Sequence, residues 1–142
     1  MGYFNTLTLA SSGRPFLVFS VMACADVTLV MSEILGLTNV RSYKVLIGFG
    51  PGQDQLEIHK DNARKIHRHI SCVLHCTQYR EFWISWENGF VRIGYGSEVG
   101  TNVHLEWQDS HPLPISAVSV NSTSQTAEFQ LRTQEGMCAY TK

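Results

Sequence analysis

Four side chains carry the most suggestive binding chemistry in this sequence: Trp83, Arg92, His104 and Glu106. An indole face stacks on the apolar face of a pyranose ring. Arg, His and Glu supply charge-assisted hydrogen bonds to hydroxyls. The four can act together only if the chain is extended around them, because successive strand residues point to opposite sides. Alternation then places Trp83, Ser85, Phe90, Arg92, His104 and Glu106 on one face. Phe82, Ile84 and Trp86, with Val91, Ile93, Tyr95, Val103, Leu105 and Trp107, fall on the other face as candidate core.

Other chemistry is weaker. His59, His67, His69, His75, His104 and His111 invite a metal reading, and His67 and His69 at i, i+2 would share a strand face. Zinc accepts such ligands, but no third ligand stands at a motif-like spacing, so no metal is expected. Ser, His and Asp are present without a Gly-x-Ser-x-Gly elbow, so no catalytic residue is assigned. Glu81, Glu87, Glu98 and Glu106 could in principle pair for glycoside hydrolysis, which needs about 5–9.5 Å between carboxylates. Glu106 with Arg92 reads more simply as a cross-strand ion pair. The basic run from Lys60 to Arg68 could meet an anion or an acidic glycan, and reads more simply as a solvated loop.

The elements that must position these residues are strands almost throughout. Predicted strands are Thr6–Ala10, Phe16–Ala23, Asp26–Met31, Tyr43–Gly48, Gln55–His59, Ile70–His75, Glu81–Trp86, Phe90–Tyr95, Val103–Trp107, Ile115–Val120 and Ala127–Arg132. Turn signals separate them: Ser12-Gly13, Gly50-Pro51-Gly52, Asn88-Gly89, Gly100, Pro112 and Pro114. The clearest hairpin is FWISWENGFVRIGYG, where Asn88-Gly89 favours a tight turn with positive φ. Asp61–His69 reads as an irregular charged segment. Ser32–Asn39 gives thin helical evidence, interrupted by Gly36. Many short strands at regular spacing predict an all-β fold, an antiparallel β-sandwich of jelly-roll type.

The 142 residues (16.0 kDa) fit one domain over 1–142. At 44% hydrophobic and 16% charged the chain is neither disordered nor highly charged. Eleven Lys+Arg against twelve Asp+Glu leave a net charge of −1, so no basic excess drives nucleic-acid binding. No apolar run reaches the roughly 18 residues of a membrane span. PFLVFSVMACA, from Pro15 to Ala25, imitates a secretory signal, but it follows a polar stretch and leads into alternating DVTLVMS. It is read as a core strand, with location left between cytoplasm and exterior. Asn121-Ser122-Thr123 is a glycosylation sequon that matters only in a secreted chain. Cys24, Cys72, Cys76 and Cys138 allow three pairings. Cys72 and Cys76 on one strand would lie about 13 Å apart, too far for a disulfide. The expectation is buried free thiols.

Several motifs together resemble one family. SYKVLIGFG, REFWISWENGFVRIGYG and HLEWQDSHPLPISAVSV, with the opening FSVMACADVTLVMS, are similar to the farnesoic acid O-methyltransferase-like domain. The similarity covers about Phe16 to Leu131. Its most specific piece is FWISW, a strand ending IGYG, and the Trp-x-Asp of Trp107 and Asp109. The resemblance implies an antiparallel β-sandwich that recurs in insect proteins and within alpha-2-macroglobulin-like complement relatives. This sequence departs from the family pattern at Gly48-Phe49-Gly50-Pro51-Gly52.

The family label also raises S-adenosylmethionine chemistry. VLIGFGPG offers Gly-x-Gly-x-Gly after a strand, but such a fingerprint counts only when a helix follows. GQDQLEIHKD has strand alternation instead, and no βαβ pattern appears. No cofactor is therefore expected. The sequence points to a non-catalytic module for a small-molecule or glycan ligand, with Trp83, Arg92, His104 and Glu106 as its site. Methyl transfer is the alternative, and a protein-interaction module a further one. Exposed edge strands could also form a homo-oligomer.

Overall fold

A computed structural model describes residues 5–10, 14–33, 41–123, 127–132 and 138–141. Twelve strands run along the chain: β1 (Asn5–Ala10), β2 (Phe16–Met22), β3 (Val27–Ser32), β4 (Ser42–Phe49), β5 (Gln55–Lys60), β6 (Ala63–His69), β7 (Arg80–Ser85), β8 (Phe90–Tyr95), β9 (Val103–Gln108), β10 (Ala117–Ser122), β11 (Glu128–Arg132) and β12 (Cys138–Thr141). They form two antiparallel six-stranded sheets, ordered β1-β10-β3-β4-β5-β6 and β12-β11-β2-β7-β8-β9. No α-helix occurs among the described residues. The expected all-β sandwich is the observed fold.

Alternation builds the core. Leu29 and Met31 of β3, Tyr43, Val45 and Ile47 of β4, and Leu56 and Ile58 of β5 face inward from the first sheet. Phe19 and Val21 of β2, Phe82 and Ile84 of β7, and Val91 and Ile93 of β8 meet them from the second. Burial of this apolar area is the main stabilising contribution. The run from Phe16 forms a core strand as read from its composition, with Phe19 and Val21 buried. Tyr95 departs from the predicted core and lies 46% exposed at the strand end.

Two predicted elements differ. Asp61–His69 was expected as a loop, but Ala63–His69 is the edge strand β6. It is exposed at every position except Ile66, so it lacks the apolar alternation of a half-buried strand. Conversely, Ile70–His75 was expected as a strand and is irregular. Cys72 there has φ 58°, a left-handed conformation incompatible with a continuous strand. The Ser32–Asn39 helical segment falls largely on residues 34–40, outside the described residues.

The cysteines also differ from expectation. Cys24 and Cys76 form a disulfide that pins the segment between β6 and β7 to the end of β2. Cys72 is free but exposed, not buried. The side chain of Cys138 lies outside the described residues.

The Gly-rich segment has a structural use. Gly48 has φ +77°, and a Cβ there would stand 2.5 Å from Leu74 Cδ1. It occupies the register shift between Ile47 and Phe49, where β4 turns into β5. The chain continues into a strand, not a helix. At the other hairpin, Asn88 and Gly89 do adopt positive φ, within a short 3-10 turn at Glu87–Gly89.

A buried polar network joins the first sheet to the chain leaving β9. Tyr43 Oη donates to Asp109 Oδ2 at 2.6 Å, and Lys60 Nζ lies 2.7 Å from the same oxygen. The backbone N–H of His111 donates to Asp109 Oδ1, and that of Leu113 to Tyr43 Oη. Asp109 is 4% exposed. Burial pushes its carboxyl up, but hydrogen bonds from Lys60, Tyr43 and the His111 N–H outweigh this and hold it below the usual carboxylate range. Burial and the bond to Asp109 push the Tyr43 hydroxyl up. The Asp of the Trp-x-Asp motif is thus a structural tie.

Candidate functional site

The outer face of the second sheet is organised in cross-strand rows. One row runs Phe16, Ser85, Arg92, Glu106 across β2, β7, β8 and β9. The next runs Val18, Trp83, Gly94. Their direction follows from alternation, since Phe82, Ile84, Val91 and Ile93 take the core side.

Trp83 occupies the predicted face but not the predicted environment. It was expected as an exposed stacking platform, and it is fully buried. Its indole Nε1–H donates to the Thr101 carbonyl at 2.7 Å, drawing the 96–102 loop over it. Gly94 opposite gives it room, since a Cβ there would sit 2.3 Å from Cε2. The Arg92 guanidinium covers the ring at 5.3 Å from its centroid. A pyranose cannot stack on this ring in this conformation, so Trp83 supports Arg92 from beneath.

Arg92 is the centre of the face. Its guanidinium lies 5.1 Å from the Phe90 centroid as well as over Trp83. Two aromatic contacts restrict its plane. Glu106 stands directly across in register, yet no ion pair joins them, contrary to the cross-strand pair expected. Arg92 Nε and the Oγ of Ser85 are both buried and make no protein hydrogen bond. Ser85 itself is 4% exposed. Arg14 stacks over Phe16 at 5.9 Å, at the far end of the same row. Beyond Arg14 opens a cleft of about 590 Å³, walled also by Trp86, Glu87, Asn88 and the 112–115 segment.

His104 stands apart. The β8–β9 register shifts between Ile93 and Gly94 and leaves it unpaired in the ladder. Its ring pairs with Tyr95 at 6.2 Å, and its carbonyl accepts from Arg68 Nη1. Burial, then the nearby Arg68 charge, pushes its imidazole pKa down. The structure therefore brings Trp83 and Arg92 into contact, sets Glu106 beside them, and leaves His104 at the rim. Sequence reasoning named Ser85 and Phe90 on this face but missed Arg14 and Phe16. Their signal lies in the β2–β7 register, which a pattern along one strand does not encode.

The remaining candidates disperse. Glu81, Glu87, Glu98 and Glu106 sit on four different segments: β7, the 3-10 turn, the 96–102 loop and β9. His59 pairs with Glu57 at 2.8 Å, and His69 with Asp54 at 3.4 Å. No group of three His, Cys, Asp or Glu suited to a metal occurs among the described residues. Within the basic run, Lys60 is held by Asp109, Arg68 by the His104 carbonyl, and Lys65 lies over Trp107. No helix among the described residues is long and apolar enough to cross a membrane.

The family model for farnesoic acid O-methyl transferase matches residues 1–135. The chain belongs to this family. A BTB/POZ domain-containing protein of Arabidopsis thaliana is 29% identical over 76% of the chain, which spans only 14% of that protein's length. Among solved structures, this family member is similar in fold to toad ovary galectin, solved in complex with thio-digalactose. The TM-score is 0.56 at 8% identity, over 88% of this chain and 98% of the galectin. Sheep galectin-11, solved with glycerol, gives 0.52 at 9% identity over 90% of this chain and 96% of its own. Xenopus laevis galectin-Ib gives 0.50 at 6% identity over 99% of both chains. At these identities the likeness is one of fold.

Proposed function

We propose that this family member is a non-catalytic, lectin-like binding module whose ligand is a carbohydrate. The observation that carries the reading is Arg92, a cation oriented by Trp83 and Phe90 whose buried Nε makes no hydrogen bond among the described residues. Donors in such a setting favour a ligand that brings acceptors, because a buried polar group without a partner costs about 1–3 kcal/mol. Glu106, exposed across from it, accepts from sugar hydroxyls. His104 borders the site, and Trp83 fixes Arg92 rather than touching ligand. The galectin likeness supports the reading by analogy of fold, since toad ovary galectin was solved with thio-digalactose.

A glycan-array screen of the purified chain, with R92M beside it, tests this. Related glycans retained by wild type and lost by R92M are expected. The family's name favours methyl transfer as a second reading, tested in parallel by calorimetry with S-adenosylmethionine and farnesoic acid. Binding of those two with silence on glycans would replace the lectin reading.

A further inference from the structure

The row Phe16–Ser85–Arg92 indicates which kind of ligand group the site takes. Resting on the lectin reading, we infer that Arg92 and Ser85 receive a carboxylate, so that the ligand is an acidic sugar. Among the described residues no ion pair balances the Arg92 charge, although Glu106 stands opposite in register. A neutral hydroxyl would leave that charge uncompensated, whereas a carboxylate neutralises it. The guanidinium plane is restricted by Trp83 and Phe90, and a planar donor fork matches a planar carboxylate through two parallel bonds. Ser85 lies directly across from Arg92, with its hydroxyl buried and unpartnered on the same side. A carboxylate held by Arg92 would take that hydroxyl as a third donor. Arg14, over Phe16 in the same row, adds a second cation within the reach of a short oligosaccharide.

The test is calorimetry of the full chain with a galacturonic acid trimer, its methyl ester, a neutral galactose trimer and farnesoic acid. The acid trimer is expected to bind at least about tenfold tighter than its ester, a difference of about 1.4 kcal/mol. R92K keeps the charge but loses the fork, and S85A removes the hydroxyl. Each should weaken the acid trimer several-fold more than it weakens the ester, so that the preference for acid over ester shrinks. Near-ultraviolet circular dichroism of both variants reports whether the Trp83 packing survives. Equal binding of acid, ester and neutral trimers overturns the carboxylate assignment and leaves the lectin reading standing. Binding of farnesoic acid alone, weakened in R92K, keeps the carboxylate contact and overturns the sugar. Silence from every probe overturns both.

Discussion

Tyr43 of β4 and Asp109, just after β9, are 66 residues apart in sequence and share a 2.6 Å hydrogen bond in the buried centre of the molecule. Lys60 approaches the same carboxylate oxygen at 2.7 Å. One acidic side chain therefore holds together two strands of one sheet and the exit from the other.

Removing either partner has unequal consequences. Y43F keeps the ring and deletes one hydrogen bond, and it should cost about 1–2 kcal/mol. D109A leaves the Lys60 ammonium uncompensated and removes acceptors from Tyr43 and the His111 N–H. It should cost about 3–5 kcal/mol. Urea unfolding of the two variants measures both, and a D109A effect no larger than that of Y43F would refute the tie.

The same network gives a pH dependence with a defined sign. The folded-state pKa of Asp109 lies below its ordinary 3.8, so the unfolded chain binds more protons around that pH. The Asp109 contribution is present above about pH 4 and is lost as pH falls through the folded value. Tyr43 is raised above its ordinary 10.0, so its contribution is complete below about pH 10 and declines as pH rises further. Melting temperatures from pH 2 to 11 should show both arms, the acid arm shallower in D109N and the alkaline arm shallower in Y43F.

Gly94 and Trp83 form a matched pair. G94A should cost about 1–3 kcal/mol, because its methyl group collides with a buried indole that has little room to move. W83A should cost about 3–5 kcal/mol and release Arg92 at the same time. Stability and ligand binding should therefore fall together in W83A, while R92K affects mainly binding. Loss of binding in W83A at full stability would instead restore Trp83 as a stacking platform.

The Cys24–Cys76 bridge closes a separation of 52 residues. Chain-entropy arguments give about 4 kcal/mol for a loop of that length. Reduction by dithiothreitol should lower the urea midpoint accordingly. An unchanged midpoint after verified reduction would remove the bridge from the account.

The alternating segments around Phe16, Val45, Ile84 and Ile93 were legible because each strand is half-buried, and burial leaves a period of two. β6 was not legible: ARKIHRH is exposed on both faces and only Ile66 marks the inner side. The 70–79 segment misled for the opposite reason, since Ile70, Val73 and Leu74 pack on the core without being a strand. The face of Trp83 was correct, but its burial depends on Thr101 and Arg92 arriving from other segments. The Cys24–Cys76 pairing is likewise a product of topology. Sequence periodicity gives the direction of a side chain, while the cover above it comes from the tertiary fold.

The Arg68 bond to the His104 carbonyl carries a consequence for how molecules of this kind meet. It laces β6 to β9, the strands that end the two sheets on one side of the sandwich. β6 offers any incoming strand Arg64, Lys65, His67, Arg68 and His69 in a seven-residue stretch. A second copy carrying the same three cations, Arg64, Lys65 and Arg68, would be repelled there, and the bulge in each flanking ladder disrupts regular annealing. The charge and the irregular ladders on this flank disfavour edge-to-edge pairing of like copies.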